Sequence, residues 1–138
     1  MKWTISFITK GNYFKVVNEG LYEAGDSIKL YASLFSNESW HPGASILMDN
    51  RQVDYRNVNY QVMSQSSNNL ANSEKQIANS KIGYVVESPV GLGISRQFQM
   101  LMEGKSSIII EIFTNEEAAI NWLTREQKSL SENTWANS

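Results

Sequence analysis

Apolar residues in this chain recur with two different periods. Between Lys81 and Phe113 an apolar run (Ile82–Val86) leads into a turn (Glu87-Ser88-Pro89-Val90-Gly91). A helix-period segment (Leu92–Met102), a glycine stop at Gly104 and a second apolar run (Ile108–Phe113) follow. Two strand-like runs flanking a helix-period segment predict a βαβ unit with parallel strands. Ile108-Ile109-Ile110 does not alternate with polar residues, as expected of a strand covered on both faces.

The rest of the chain extends that unit. Trp3, Ile5 and Phe7 alternate with Thr4 and Ser6, which predicts a half-buried strand over Trp3–Thr9. Lys10-Gly11-Asn12 supplies a turn, and Tyr13–Val17 returns with Phe14 and Val16 inward, completing an antiparallel hairpin. Asp26 is placed to cap a helix from Ser27 to about Asn37, with Ile28, Tyr31, Leu34 and Phe35 at helical spacing. Trp40-His41-Pro42-Gly43 ends it, and His41 is expected at the helix C-terminus. Ala44–Met48 is short and wholly apolar, hence a central strand, and Asp49-Asn50-Arg51 leaves its carboxyl end. From Asn57 to Ser80 the chain is rich in Asn, Ser and Gln, yet Val62/Met63, Leu70 and Ile77 keep a helical interval. One helix is predicted over Tyr60–Ile77, with a narrow apolar seam and a wide solvated face.

After Phe113, Thr114 or Asn115 is expected to cap a last helix, with Glu116 and Glu117 suiting its positive end. Ala119, Ile120, Trp122 and Leu123 form its buried stripe, Trp122 beside Ile110 or Ile112. Residues 126–138 show no period and are expected to fray, leaving one domain over residues 1–125. The fold class is therefore α/β: a mixed five-stranded sheet, an N-terminal antiparallel hairpin followed by parallel strands, and about four helices.

Charge and composition narrow the chemistry. The chain has 138 residues, 41% hydrophobic and 19% charged, with twelve basic and fourteen acidic side chains scattered singly. That composition is globular, and no basic stripe for nucleic acid or polybasic patch for an anionic membrane stands out. With no cysteine and one histidine, thiolate chemistry and multi-histidine metal sites are excluded. The start, Met1-Lys2-Trp3-Thr4, lacks a signal-peptide apolar core, and no window approaches ~20 apolar residues. A cytoplasmic protein without an integral membrane segment, metal or cofactor is expected.

Three sets of residues are candidates for function. Ser88, Gly91 and Gly93 precede or open a helix whose free N–H groups can hold an anion. Ser95-Arg96 stands where the third glycine of a dinucleotide fingerprint belongs, so the glycines are better read as packing devices. Asp49, Arg51 and Asp54 cluster past a central strand, the edge where α/β sheets bind ligands. Carboxylates there can do acid–base work only with a pocket and a shifted pKa. An ion pair of Asp49 with Arg96 or Arg51 is the plainer expectation, and no catalytic residue is assigned. The third set is Val85, Ile109 and Phe113. Crossovers that run one way gather helices on one face of a sheet. The other face then shows an apolar centre with an acidic margin, as a dimer contact or groove wall does.

Three stretches together resemble one family. Ile46-Leu47-Met48-Asp49-Asn50-Arg51 is similar to the strand-plus-acid-x-Arg signature of the SpoIIAA-like proteins, the STAS/SEC14-domain group. Gly93-Ile94-Ser95-Arg96-Gln97-Phe98 resembles that group's Gly-Leu-Ala-Arg-x-Phe/Tyr helix start, and Ile112–Leu123 resembles its closing strand and helix. The resemblance implies a mixed sheet wound as a βα superhelix. In the anti-sigma factor antagonists of the family a serine after a central strand is phosphorylated. Here Asp49-Asn50-Arg51-Gln52-Val53 offers no hydroxyl, so that switch is not expected. The first functional expectation is a non-enzymatic STAS-like regulatory module acting through protein contact, as a homodimer or on a partner. The second is a SEC14-like carrier or sensor of a lipid or other apolar small molecule. A hydrolase using Asp49, Asp54 and Arg96 is the residual third.

Overall fold

The structure, a computed structural model, describes residues 1–124. The aperiodic stretch 126–138 lies outside the described residues. Five strands form one sheet in chain order: β1 (Lys2–Ile8), β2 (Tyr13–Leu21), β3 (Ser45–Asp54), β4 (Lys81–Val85) and β5 (Ile109–Phe113). β1 and β2 pair antiparallel, and every later pairing is parallel. The fold is α/β with a mixed sheet, and five helices accompany it instead of about four.

The helix count rises because the expected Tyr60–Ile77 helix divides. Its parts are α2 (Tyr60–Ala71) and a single turn, α3 (Glu74–Ile77). The break falls at Asn72-Ser73, and the Ser73 hydroxyl bonds back to the Asn69 carbonyl at 3.4 Å. Such side-chain bonds to nearby backbone compete with helix continuation. The apolar seam survives the break, since Met63, Leu70 and Ile77 are all buried.

Helix α1 (Asp26–Phe35) also begins differently. Gly25, at φ 90°, precedes it, and Asp26 is its first residue instead of its cap. The Asp26 carboxylate accepts from the Glu23 amide at 2.9 Å. At the far end the Ser36 amide and hydroxyl close the helix on the Ala32 carbonyl. His41 is exposed and contacts only the Ser39 carbonyl, at 3.3 Å, so it does not cap α1. Helix α4 (Pro89–Met102) starts three residues earlier than Leu92. Proline's fixed φ suits a first helical turn, and the Ser88 hydroxyl accepts from the Gly91 amide at 3.0 Å. The last helix, α5, is described over residues 116–124, and Asn115 is its cap, accepting from the Ala118 amide at 2.8 Å.

Each parallel crossover joins adjacent strands, so α1 to α4 collect on one face of the sheet. There Phe14, Val16, Ile46, Met48, Ile82, Tyr84 and Ile110 pack against Leu30, Tyr31 and Leu34 of α1, Leu70 of α2, Ile77 of α3 and Met102 of α4. The opposite face carries Tyr13, Leu47 and Val85, and Ala119 and Leu123 of α5 cover it. Ile46, Leu47 and Met48 are therefore all buried, which is why β3 opens on an apolar run without alternation. Trp122 packs on Phe113, ring centroids 5.8 Å apart, on the face opposite Ile110 and Ile112. The expected neighbours of Trp122 were on the wrong side of the sheet.

Two strands outrun their sequence signals. β2 continues past Val17 to Leu21, and β3 continues past Met48 to Asp54. The two extensions pair with each other, Glu19 to Gln52 and Leu21 to Asp54, after a register shift between Val17 and Glu19. Pairing across the sheet overrides the weak strand preference of Asn18-Glu19-Gly20. Asp49, Arg51 and Asp54 thus lie on β3 itself, not beyond its end.

Candidate functional site

The register shift sits at the carboxyl edge of the parallel strands, where β2 and β3 diverge from ideal pairing. Asn18 is carried there, 2% exposed, with Met48 and Asn50 of β3 beside it. Its amide nitrogen donates to Asn50 Oδ1 at 2.7 Å and to Met48 Sδ at 3.2 Å. Above this pair, α1, α2, α4 and the chain after β3 enclose a pocket with largely apolar walls. Its cavity volume is about 90 Å³.

Four of the chain's six tyrosines converge on it: Tyr22 after β2, Tyr31 on α1, Tyr55 after β3 and Tyr84 on β4. Tyr22 shares a 2.9 Å hydrogen bond with Ser66 of α2. Tyr31 and Tyr55 make no hydrogen bond of good geometry among the described residues, although the Tyr84 hydroxyl neighbours the first and Asn50 and Ser95 neighbour the second. Burial pushes Tyr31 up to about 12, with the neighbouring Tyr84 hydroxyl opposing the rise. It pushes Tyr55 up to about 12 as well, and Tyr84 well above the ordinary phenol value. All three therefore keep their protons at neutral pH and stay competent as donors. Gly91 helps to place Tyr55. A Cβ there would sit 3.3 Å from Tyr55 Cε2 and 3.1 Å from the Ser88 hydroxyl, so a side chain would press on the ring and the helix cap.

The residues singled out from sequence go elsewhere. Asp49 and Arg51 point to the α5 side of the sheet. Arg51 Nε and Nη2 meet Asp49 Oδ1 and Oδ2 at 2.9 and 2.7 Å, a two-pronged pair. Arg51 also reaches Glu116 at 3.4 Å, and Lys15 of β2 holds the same carboxylate at 2.7 Å. Glu116 lies in the first turn of α5, so this network ties the start of that helix to β2 and β3. Burial raises the Asp49 pKa, but the hydrogen bonds and charge of Arg51 outweigh it and hold the carboxyl below its usual range. Asp54 pairs with Arg56 at 2.7 Å in an exposed bridge, and Arg96, exposed on α4, pairs with neither acid. The three residues do not form a cluster.

Ser88 is committed to the helix cap, Gly91 to close packing, and Gly93 faces open space. Val85, fully buried, and Phe113, half-buried, lie under α5, and only Ile109, 45% exposed on the sheet's edge strand, reaches the surface. The apolar second face thus finds its cover in the chain's own last helix. Among the described residues no group of His, Cys, Asp and Glu can hold a metal ion, and no helix is long and apolar enough to cross a membrane.

The Asp49 pair has a testable sign. A carboxyl held below its ordinary value of 3.8 stabilises the fold fully above that pH. The contribution is lost as pH falls through the lower folded value. Asp49→Asn is expected to cost about 1–3 kcal/mol at pH 6 and to differ progressively less from the parent as the pH is lowered below 3.8. Urea unfolding of both proteins across that range measures it. A difference that does not change with pH would show that the charge of Asp49 is irrelevant.

Sequence reasoning missed Asn18 and the tyrosines, because residues from six segments meet only in the folded chain. The one local signal was an asparagine directly after the strand residues Tyr13–Val17. No protein-family model, curated protein or solved structure matches the chain.

Proposed function

We propose that this protein is a non-enzymatic binding module that holds a small molecule in the tyrosine pocket, as a carrier or sensor. The carrying observation is a concentration of unpaired polarity. Among the described residues four buried side-chain oxygens lack a hydrogen-bond partner: Asn18 Oδ1, Tyr31 Oη, Tyr55 Oη and Ser80 Oγ. The first three line one pocket. Each unpaired buried group costs about 1–3 kcal/mol; these oxygens expose under 1 Å² each in the empty pocket, and an occupant that displaces the side chains over them would supply the partners. The reading fits a SpoIIAA-like, STAS/SEC14-type domain of the cytoplasm and needs no catalytic group. Asp49 and Asp54 are each neutralised by an arginine two residues on.

Protein contact is the second reading, and the exposed Ile109 favours it. β5 is an edge strand, and a large apolar residue on an edge invites pairing with another strand.

A native mass spectrum of protein purified from its host tests the first reading. A complex heavier than the polypeptide by a few hundred daltons, lost when the protein is denatured, is expected. A bare chain that stays bare after incubation with host extract would sink it. A dimer mass that Ile109→Lys converts to monomer would favour the second reading.

A further inference from the structure

We infer that the pocket selects an uncharged ligand: an apolar body carrying a hydroxyl or amide group that donates a hydrogen bond to Asn18 Oδ1. This rests on the binding reading above and names its ligand class.

The walls decide the charge. Among the seventeen residues that line the pocket there is no Asp, Glu, Lys, Arg or His side chain. The α-amino group of Met1, a lining residue, is already paired with the Asp26 carboxylate at 3.3 Å. An ion entering this space would leave water with no counter-charge to meet it, which is strongly unfavourable. Carboxylates, phosphates and ammonium groups are therefore discriminated against by the walls themselves.

Hydrogen-bond direction decides the polar group. The Asn18 amide nitrogen is spent on Asn50 and Met48, which leaves its oxygen unpaired; that oxygen exposes under 1 Å² in the empty pocket, so a ligand meets it by displacing the side chains over it. That oxygen can only accept, so the ligand must donate. The Tyr31 and Tyr55 hydroxyls, protonated at neutral pH, can donate to an acceptor on the same ligand group. A hydroxyl or a primary amide supplies both functions, at one atom or at two atoms on one carbon. The remaining wall, with Leu30, Met48, Met63, Ile94 and Phe98, suits an apolar body, and the two flexible methionines let it vary in shape.

Four one-ring probes of similar size separate the terms: benzyl alcohol, toluene, benzoate and benzylamine. Binding is read from the Asn18 side-chain amide resonances during NMR titration. Benzyl alcohol is expected to bind at least tenfold more tightly than benzoate or benzylamine at pH 7, and about tenfold more tightly than toluene. Asn18→Leu should abolish the preference over toluene while toluene still binds, read then from the Tyr84 and Phe98 ring signals. Tyr31→Phe, which keeps the shape of the site, should weaken benzyl alcohol about fivefold and leave toluene unchanged. Charged probes binding as well as the alcohol, or both variants keeping the full preference, would overturn the inference while leaving a binding pocket in place. If none of the four probes saturates the site, the binding reading falls with it.

Discussion

Phe14→Ala is expected to lower the unfolding free energy by about 3–5 kcal/mol, a large share of the ~5–15 kcal/mol of an ordinary domain. Phe14 is fully buried at the centre of the helix-covered face and pairs in register with Ile46. Its ring lies 4.8 Å from that of Phe7 and 5.4 Å from that of Trp40, so β1, β2 and the α1–β3 connection meet on it. Truncation removes buried area, leaves a cavity and loses two aromatic pairs worth about 0.5–1.5 kcal/mol each. The surrounding groups are poorly placed to collapse, because Trp40 is also held by a 2.8 Å hydrogen bond to Gln76. Urea unfolding followed by circular dichroism measures the loss. A change below about 1.5 kcal/mol would mean that the three elements do not share this core.

A second large effect separates two residues that the alternation of β4 and β5 assigns to the same face. Val85→Asp is expected to cost at least about 4 kcal/mol, because it places a carboxylate in a site with no exposure, in register with the Asp49 carboxylate. Val85 is fully buried among Leu47, Ala119 and Leu123. Ile109→Asp is expected to cost under about 1 kcal/mol, since its side chain is 45% exposed on an edge strand. Thermal melts of the two variants give the comparison directly. Similar losses in both would show that α5 does not cover the sheet as described. The contrast also changes what such variants report. A lost dimer in Ile109→Asp reads a surface, whereas Val85→Asp reads the docking of α5.

Local pattern was enough for the order of the elements and the sheet they make. Alternation in Trp3–Phe7, the unbroken apolar run in Ile46–Met48 and helical spacing in Leu92–Met102 each reflect the surroundings of one segment, whereas the run Ile108–Ile110, expected in a central strand covered on both faces, opens an edge strand with Ile109 exposed. Those surroundings repeat at periods visible within a few residues. Caps were partly legible for the same reason. Asn115 acts on an amide three residues away, at Ala118, as expected; Ser88 acts the same way on Gly91, but its helix was expected to begin only at Leu92.

Other features needed the folded chain. β2 and β3 lengthen only because Glu19–Leu21 and Gln52–Asp54 find each other across the sheet. Whether Asp49 faces a ligand or an arginine turned on the side of β3 it occupies, and α5 reaches that side with Glu116. The second face looked like a free patch because nothing local tells a helix which side of a sheet to cover. Asn18, Tyr31, Tyr55 and Tyr84 stand far apart in the chain, each unremarkable where it stands. They become a site because three parallel strands end at one edge and three helices close over it, an arrangement of long-range contacts that no sequence period encodes.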